Sequence, residues 1–550
     1  MAFFSAFRGN KGKSLNFSPS LSPWKLTTLV VLLMVLVDNF SFFSRVLEIY
    51  PFFSGDTAFV ISLTLVLSCV TLLLILPLCF RRTVKPTLIL LLITASITAY
   101  FMDHYGVVID ATMMQNLFST NSREALDLFH VKILVYLVFF GILPSYLVAK
   151  VKLADQPLKT ELWAHLKLAL TCFVLMLAAL FSFSKHYASF FREHKPVRGY
   201  ANPAFVVYSL GKYASESFKA SASNKPDPNL DAMIPETDLD RELVIFVVGE
   251  TARADRFSLN GYERETNPRL KEKEVYFFSD VHSCGTSTAV SVPCMFSILG
   301  RENYKKNANE PNVMDLLSHA GVQILWRDNN SDQRHVAKGA QYEDYRDPRI
   351  NTVCDIECRD EGMLVGLDDF IQSHKEGDIL IILHQMGNHG PAYYKRYPEE
   401  FQVFTPVCPS NQLERCSREE IDNTYDNAIL YTDYFLSKTI EFLEPYSTEF
   451  ETAMIYFSDH GESLGEHGIY LHGLPYFMAP ETQTKVPVLM WFGDSFQLDR
   501  DALKNTLDKS YSHDNVFHTL LGLMEVVSPR YDPAQDMISG LEHDSDSVDP

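Results

Sequence analysis

The chain has 550 residues, with 48 Lys and Arg against 68 Asp and Glu, for a formal net charge of −20. Such an excess of acid argues against a nucleic-acid binder, which needs a basic face, and the length calls for two or more domains. The overall hydrophobic share of 47% hides a division. Long apolar runs fill about the first 185 residues, whereas the remainder has ordinary globular composition and most of the acids.

In chain order, five apolar runs are long enough to cross a bilayer as helices, which takes about 20 residues each. They are Leu26–Phe43, Ala58–Phe80, Pro86–Met102, Ile133–Val148 and Trp163–Phe183. Gly141 and Pro144 interrupt the fourth, and Asp38 and Asn39 lie inside the first. An acid at that depth is costly and is expected to face protein or the lipid–water interface. Arg8, Lys11, Lys13 and Lys25 precede the first run, Arg81, Arg82 and Lys85 follow the second, and Lys150, Lys152 and Lys159 follow the fourth. The positive-inside rule then puts the N-terminus in the cytoplasm and everything after Ser184 on the outer side. The first run lacks a small-residue cleavage site and reads as an anchor rather than a removed signal.

The expected division is a transmembrane domain 1–184, a membrane-surface linker 185–240 and a catalytic domain 241–550. The linker begins basic and aromatic at Lys185–Arg198, which suits headgroup phosphates, and Ser221–Asp240 reads as a loop. From Leu243–Val248 onward, apolar strand candidates recur at Val322–Trp326, Ile379–Leu383, Ala453–Phe457 and Val486–Trp491. Helix candidates at Val313–His319, Met363–His374 and Asp426–Glu441 alternate with them. That alternation predicts an α/β domain with a largely parallel sheet. Cys69, Cys79 and Cys172 fall within apolar spans, whereas the other six cysteines form close pairs. Outside the cytosol, three local disulfides are expected, Cys284–Cys294, Cys354–Cys358 and Cys408–Cys416. The alternative is a zinc site using Cys354-x-x-x-Cys358 and another pair.

Chemistry concentrates where strands end. After Ala453–Phe457 come Asp459, His460, Glu462, Glu466, His467 and His472, interleaved with glycines. Glu250 and His384 through His389 follow two other strands, as open α/β sheets arrange their sites. Carboxylate and imidazole together suit a divalent metal such as zinc. Glu466 and His467 could orient the ligands, and His513 is expected to cap and pack a helix Val516–Glu525. Between Cys284 and Cys294 lie Thr286, Ser287, Thr288 and Ser291. A helix starting near Thr288 would offer a phosphate its N-terminal N–H groups, and a hydroxyl there could attack phosphorus if a metal lowered its pKa. An ordinary cap beside a structural disulfide is the other interpretation.

Five motifs carry a resemblance: Gly249–Arg256, Cys284–Ser297, Trp326–Ser331, Gly387–Tyr394 and Ser458–Glu466. In that order, behind five spans, they resemble the lipid A phosphoethanolamine transferases, the EptA family with the mobile colistin-resistance enzymes. The Asp-His-Gly triplet alone would point only to the wider alkaline phosphatase/sulfatase superfamily. The resemblance implies an alkaline-phosphatase-like periplasmic domain behind a helical membrane domain in the bacterial inner membrane. It implies one zinc held by Glu250, Thr288, Asp459 and His460, with room for a second, and Thr288 rather than Thr286 as nucleophile. His389 and His472 match residues that contact the transferred phosphate group or a second zinc.

The segment Asp110–Glu124 resembles the family's headgroup-binding segment. There Asn116, Thr120 and Glu124 share one helical face, with Glu124 facing the ammonium; Ser119 stands where the family often has an acid. Asn329 and Ser331 are matched to substrate contact. The lysine that many relatives carry after them is replaced by Gln333-Arg334-His335, leaving Arg334 or Lys338 for that role. The implied partners are phosphatidylethanolamine as donor and lipid A as acceptor for a monomeric enzyme, with polymyxin resistance as the consequence. Kdo, heptose, glycan or protein acceptors, and a membrane-tethered phosphodiesterase or sulfatase, are the alternatives. The Cys284-x-x-x-Thr288 context lacks the sulfatase C/S-x-P-x-R pattern, and a structural zinc scaffold would not need Thr288.

Overall fold

A computed structural model describes residues 20–53, 55–119, 127–221, 230–304, 310–334 and 336–541. The chain divides into two compact units, Met1–Tyr100 with Val131–Val207, and Phe101–His130 with Tyr208–Pro550.

Among the described residues, four helices are long and apolar enough to cross a membrane: Thr57–Leu78, Val84–Tyr105, Val131–Lys150 and Leu158–Ser182. The first expected run is not one straight helix. It breaks into Pro23–Val37 and Phe40–Ile49, bent by 60°, and counts as a fifth span only if the pair is taken together. The break falls at Asp38-Asn39, and the side chains of Asn39 and Asn202 bridge it. Asn39 Nδ2 donates to Met34 O (3.1 Å) and Asn202 O (2.6 Å), while Asn202 N donates to Asn39 Oδ1 (2.8 Å). Asn202 Nδ2 also donates to Ala95 O (2.8 Å), and Thr98 Oγ1 donates to Asn202 Oδ1 (2.9 Å). A kink in apolar surroundings persists only where such partners exist. The fourth span is continuous despite Gly141 and Pro144. A π-helical turn over Leu137–Ile142 precedes the segment that carries the proline and absorbs its missing donor. A Cβ on Gly141 would sit 2.7 Å from Ser96 Oγ, so the glycine permits close approach to the helix Val84–Tyr105.

Among its described residues the second unit holds eleven strands. They are β1 (Glu242–Gly249), β2 (Tyr276–Phe278), β3 (Asp280–His282), β4 (Gln323–Asp328), β5 (Gln341–Asp344), β6 (Ile379–His384), β7 (Glu451–Ser458), β8 (Ser463–Leu464), β9 (Tyr470–Leu471), β10 (Val488–Phe492) and β11 (Ser510–Ser512). Seven form the main sheet in the order β2-β10-β7-β1-β6-β4-β5. From β7 to β5 all pairings are parallel, and β10 and β2 add an antiparallel margin.

β1 is buried at every position, as its unbroken apolar run requires when both faces are covered. Phe246 stacks on Phe457 and meets Phe296 edge-on in the core, with the helices Val313–Ala320 and Val516–Leu523 packed into the same cluster. The helix expected at Asp426–Glu441 is longer, Arg418–Leu443, and starts at a capping box of Ser417 and Glu420. The helix expected over Met363–His374 is shorter. A 3₁₀ turn covers Asp360–Leu364, Gly366 adopts φ +72°, and only Leu367–Ser373 is α-helical. All three expected disulfides are present, Cys284–Cys294, Cys354–Cys358 and Cys408–Cys416.

Candidate active site

The parallel register delivers the chemistry to one end of the sheet. Gly249 pairs with Ser458 at the ends of β1 and β7, so Glu250 and Asp459 emerge side by side, and Asp459 N donates to Gly249 O (2.9 Å). One ligand atom each of Glu250, Asp459 and His460 lies within 4.8 Å of the others, all three residues being buried.

Thr288 completes the group. It is the first residue of the helix Thr288–Met295. Its hydroxyl donates to Glu250 Oε2 (3.0 Å) and lies 3.4 Å from His460 Nε2. Three neighbouring hydroxyls are engaged elsewhere. Thr286 Oγ1 donates to Leu474 O (2.6 Å), Ser283 Oγ to Gly285 O (2.6 Å) and Ser291 Oγ to Asp459 O (2.5 Å).

Hydrogen bonds orient each group. Glu250 accepts from Thr251 Oγ1 (2.6 Å) and Asn330 Nδ2 (2.7 Å). Asp459 Oδ1 accepts from the backbone N–H of Thr251 (3.1 Å) and of His460 (2.7 Å), whereas its buried Oδ2 has no hydrogen-bond donor. His460 Nδ1 faces Gly461 O at 2.9 Å, which assigns the proton there and leaves Nε2 as a lone-pair donor 3.7 Å from Glu250 Oε1 and 3.4 Å from Asp459 Oδ2. Thr251 holds φ +57°, a conformation rare for a β-branched residue. It is kept there by its bonds to Glu250 and Asp459 and by Tyr425, whose hydroxyl donates to Thr251 O (2.6 Å). At Gly387 (φ +49°) a Cβ would lie 2.8 Å from Glu250 O, so only glycine fits beside the turn.

Charge is distributed unevenly. Burial works to raise the Glu250 carboxyl, but His460, His389 and His472 outweigh it and hold the group well below the ordinary range. Burial, then the adjacent Glu250, pushes Asp459 up. Burial, then His472, takes the His460 imidazole down to about 3. An unpartnered carboxylate oxygen, a neutral imidazole lone pair and a second carboxylate form a mixed O/N donor set of the kind that binds zinc.

Two further histidines line this group. The His472 ring lies 4.3 Å from that of His460 and 5.8 Å from that of His389. His472 Nδ1 pairs with buried Glu462 (3.0 Å), itself bonded by the Tyr393 hydroxyl (3.0 Å). His389 Nδ1 has no hydrogen-bond partner, and burial takes its ring down to about 4. His389, Asn329, Asn330, Arg346, Lys395 and Arg396 are among the residues lining a cavity of about 320 Å³.

The helix Ala111–Ser119 carries Asn116, and Thr120 and Glu124 lie outside the described residues. Asn116 Nδ2 would be 3.7 Å from a Cβ on Gly473, immediately after His472. Asn329 turns away from Glu250, donating to Cys358 O (2.9 Å) and Asp360 Oδ1 (2.8 Å). The buried Ser331 hydroxyl has no hydrogen-bond partner. Arg334 is 3.8 Å from Asp332, Lys338 is exposed, and His335 lies outside the described residues. His467 is exposed, while Glu466 pairs with Arg253 and Arg418, both at 2.7 Å.

Three positioning groups were given no role in the sequence analysis: Asn330, Thr251 and Gln115. Gln115 Nε2 donates to Ala289 O (2.6 Å), fastening its helix to the one that begins at Thr288. Asn330 and Thr251 lie inside quoted motifs, but no spacing tells which of two adjacent side chains faces inward. His513 packs as expected and also fastens the site. Its Nε2 donates to Ser458 O (3.0 Å) and its Nδ1 accepts from Cys284 N (3.1 Å), which joins the end of β7 to the disulfide loop.

Residues 242–526 match the Sulfatase family, and residues 67–218 match the family described as phosphoethanolamine transferase EptA/EptB. Phosphatidylethanolamine transferase Mcr-1 of Escherichia coli is 44% identical over 94% of this chain and 97% of its own. Phosphoethanolamine transferase EptA of Escherichia coli K12 is 36% identical over 96% of this chain and 98% of its own. The integral membrane lipooligosaccharide phosphoethanolamine transferase A of Neisseria meningitidis superposes with a TM-score of 0.89 at 33% identity, covering 95% of this chain and 100% of that one. On identity, coverage and fold together, this chain belongs to the phosphoethanolamine transferase family, with a sulfatase-type catalytic domain.

Proposed function

We propose that this protein transfers phosphoethanolamine from phosphatidylethanolamine to lipid A through a covalent phosphoethanolamine-threonine on Thr288. The observation that carries the reading is the Thr288 hydroxyl, at a helix N-terminus and bonded to Glu250 beside His460. The names of the relatives supply the donor and the transferred group, and a more distant relative named Kdo(2)-lipid A phosphoethanolamine 7''-transferase supports an acceptor that contains lipid A.

Glu250, Thr288, Asp459 and His460 are the residues that would hold zinc, and the donor-free Asp459 Oδ2 fits that role. A zinc bound there would lower the pKa of the Thr288 hydroxyl and offset charge on phosphorus-bound oxygens. In the first step the Thr288 Oγ1–phosphorus bond forms as the bond to the diacylglycerol oxygen breaks. Glu250 Oε2, already accepting the Thr288 hydrogen bond, relays that proton to the departing diacylglycerol oxygen. In the second step an oxygen of a singly protonated lipid A phosphate attacks phosphorus, the Thr288 Oγ1–phosphorus bond breaks, and the proton of that phosphate passes by the same carboxylate to Thr288 Oγ1. The first turn of the Thr288 helix presents N–H groups to the phosphate. His389 and His472 contact the transferred phosphate group or a second zinc. Asn116, Thr120 and Glu124 bind the headgroup, with Asn329 and Ser331 as further substrate contacts.

The same reading makes residues 1–184 a transmembrane domain, 185–240 a membrane-surface linker and 241–550 a periplasmic catalytic domain of a monomeric inner-membrane enzyme. A cationic headgroup on lipid A weakens attraction for polymyxin. The test is mass spectrometry of lipid A from cells with and without the protein and its Thr288→Ala variant. A phosphoethanolamine-sized gain that requires Thr288 supports the reading. No gain on lipid A removes the acceptor, and a gain that survives Thr288→Ala removes the nucleophile.

A further inference from the structure

β1 carries a buried glutamate at each end. Glu250 follows its C-terminus in the site described above, and Glu242 begins it. Eight residues of strand separate the two positions by about 26 Å. Nothing in the transfer reaction uses Glu242.

Glu242 is 1% exposed, and no hydrogen-bond donor reaches either of its carboxylate oxygens. Its surroundings are acidic. Asp378, just before β6, is 3% exposed and receives Glu242 N on Oδ1 (3.3 Å), but its Oδ2 has no donor. Asp238, partly exposed in the turn before β1, completes a triangle in which one carboxylate oxygen from each residue lies within 4.8 Å of the others. The charge of Glu525 also acts on Glu242; that residue follows the helix Val516–Leu523 with φ +48°. Glu451 is the register partner of Glu242 on β7. Arg241, next in sequence, is committed elsewhere. It donates to His374 O (3.0 Å) and Gly377 O (2.7 Å) and stacks on Phe450 (4.3 Å).

An uncompensated buried carboxylate costs several kcal/mol. One proton shared between Glu242 and Asp378 would neutralise a single charge and leave Asp238 and Glu525 facing it. A divalent cation offsets two charges and uses three oxygens at once. We propose that Asp238, Glu242 and Asp378 form a second, non-catalytic cation site at the N-terminal end of the sheet, selective for calcium. The donors are all carboxylate oxygens, which favours a hard cation over zinc. Calcium accepts irregular oxygen cages completed by water, and the exposed side of Asp238 gives access for both.

The experiment uses full-length protein in detergent, freed of calcium by dialysis with free zinc held constant. Equilibrium dialysis against radioactive calcium reads stoichiometry, and thermal unfolding is followed as calcium rises from micromolar to millimolar. The expected result is one calcium per chain and a saturable rise in Tm. Glu242→Gln and Asp378→Asn each remove both responses and leave phosphoethanolamine transfer in calcium-free medium at the wild-type rate. Wild-type protein that takes up no calcium overturns the site and leaves a shared proton in its place. Uptake that persists in a folded Glu242→Gln or Asp378→Asn variant overturns its location. The wild-type stoichiometry needs no variant, so a variant that fails to fold leaves the proposal testable. Because the readout is binding, failure here is also separable from failure of the proposed transfer reaction.

Discussion

The two ends of β1 present the same side chain to opposite environments. At the C-terminal end Glu250 is 1% exposed, yet its carboxyl is held well below the ordinary range, with imidazoles beside it and donors from Thr251, Thr288 and Asn330. At the N-terminal end Glu242 is equally buried, but burial, then Asp378, Asp238 and Glu525, push its carboxyl up to about 10. Burial alone therefore does not decide the state of a buried carboxylate; the sign of the nearest charges and the count of donors do. One end gathers carboxylates with imidazole and hydroxyl groups, a donor set that suits a metal and chemistry on phosphorus. The other is oxygen only, which suits holding an ion without reacting.

The comparison can be broken at several points. Thr288→Ala should cost the most, on the order of 10⁴-fold or more in transfer rate, because of the hydroxyls in the Cys284–Cys294 loop it is the one hydrogen-bonded to Glu250; product on lipid A measures it, and the calcium response should not change. Glu250→Gln removes a charged donor and should lower activity by about 10²- to 10³-fold together with bound zinc, read by metal analysis. Asn330→Ala leaves Glu250 in place but removes one of the two hydrogen bonds to its Oε2. About a 10- to 100-fold loss is expected, mainly in kcat, with zinc affinity reduced.

At the opposite end, calcium should change the pH response. Without calcium the raised Glu242 pKa means its contribution to stability is fully present below the ordinary value of 4.5 and declines as pH rises toward about 10. Calcium should flatten that decline in wild-type Tm and have no effect in Glu242→Gln. The smallest effect concerns Glu466, which burial would raise but Arg253 and Arg418 hold down to about 2. Its contribution is present above 4.5 and is lost as pH falls through about 2. Glu466→Gln should remove that part of the acid response, a Tm difference under about 3 °C.

Much of this was legible in the chain. Continuous apolar runs mark β1, β6 and β7 because a strand covered on both faces has no polar side to reveal. Glu250, Asp459 and His460 stand directly after such runs, where a parallel sheet exposes its strand ends. The close cysteine pairs needed only short loops to meet. The bend at Asp38-Asn39 was not legible, since it depends on Asn202, far along the sequence and fitted into the kink. Nor was the choice of Asn330 over Asn329 at Glu250, because a turn after β4 aims adjacent side chains in different directions.

By itself the sequence determined which residue types stand at the ends of strands, how many apolar runs are long enough to span a membrane and which cysteines are neighbours, since all of these are local in the chain. Only the tertiary structure decided which hydroxyl faces Glu250 and which imidazole nitrogen is left as a donor. It alone brought Asp378 to Glu242, more than a hundred positions earlier, through the parallel pairing of β1 with β6. The physical reason is that electrostatics acts through space. A carboxylate's state depends on neighbours within a few ångströms, and sheet register, not chain order, chooses them.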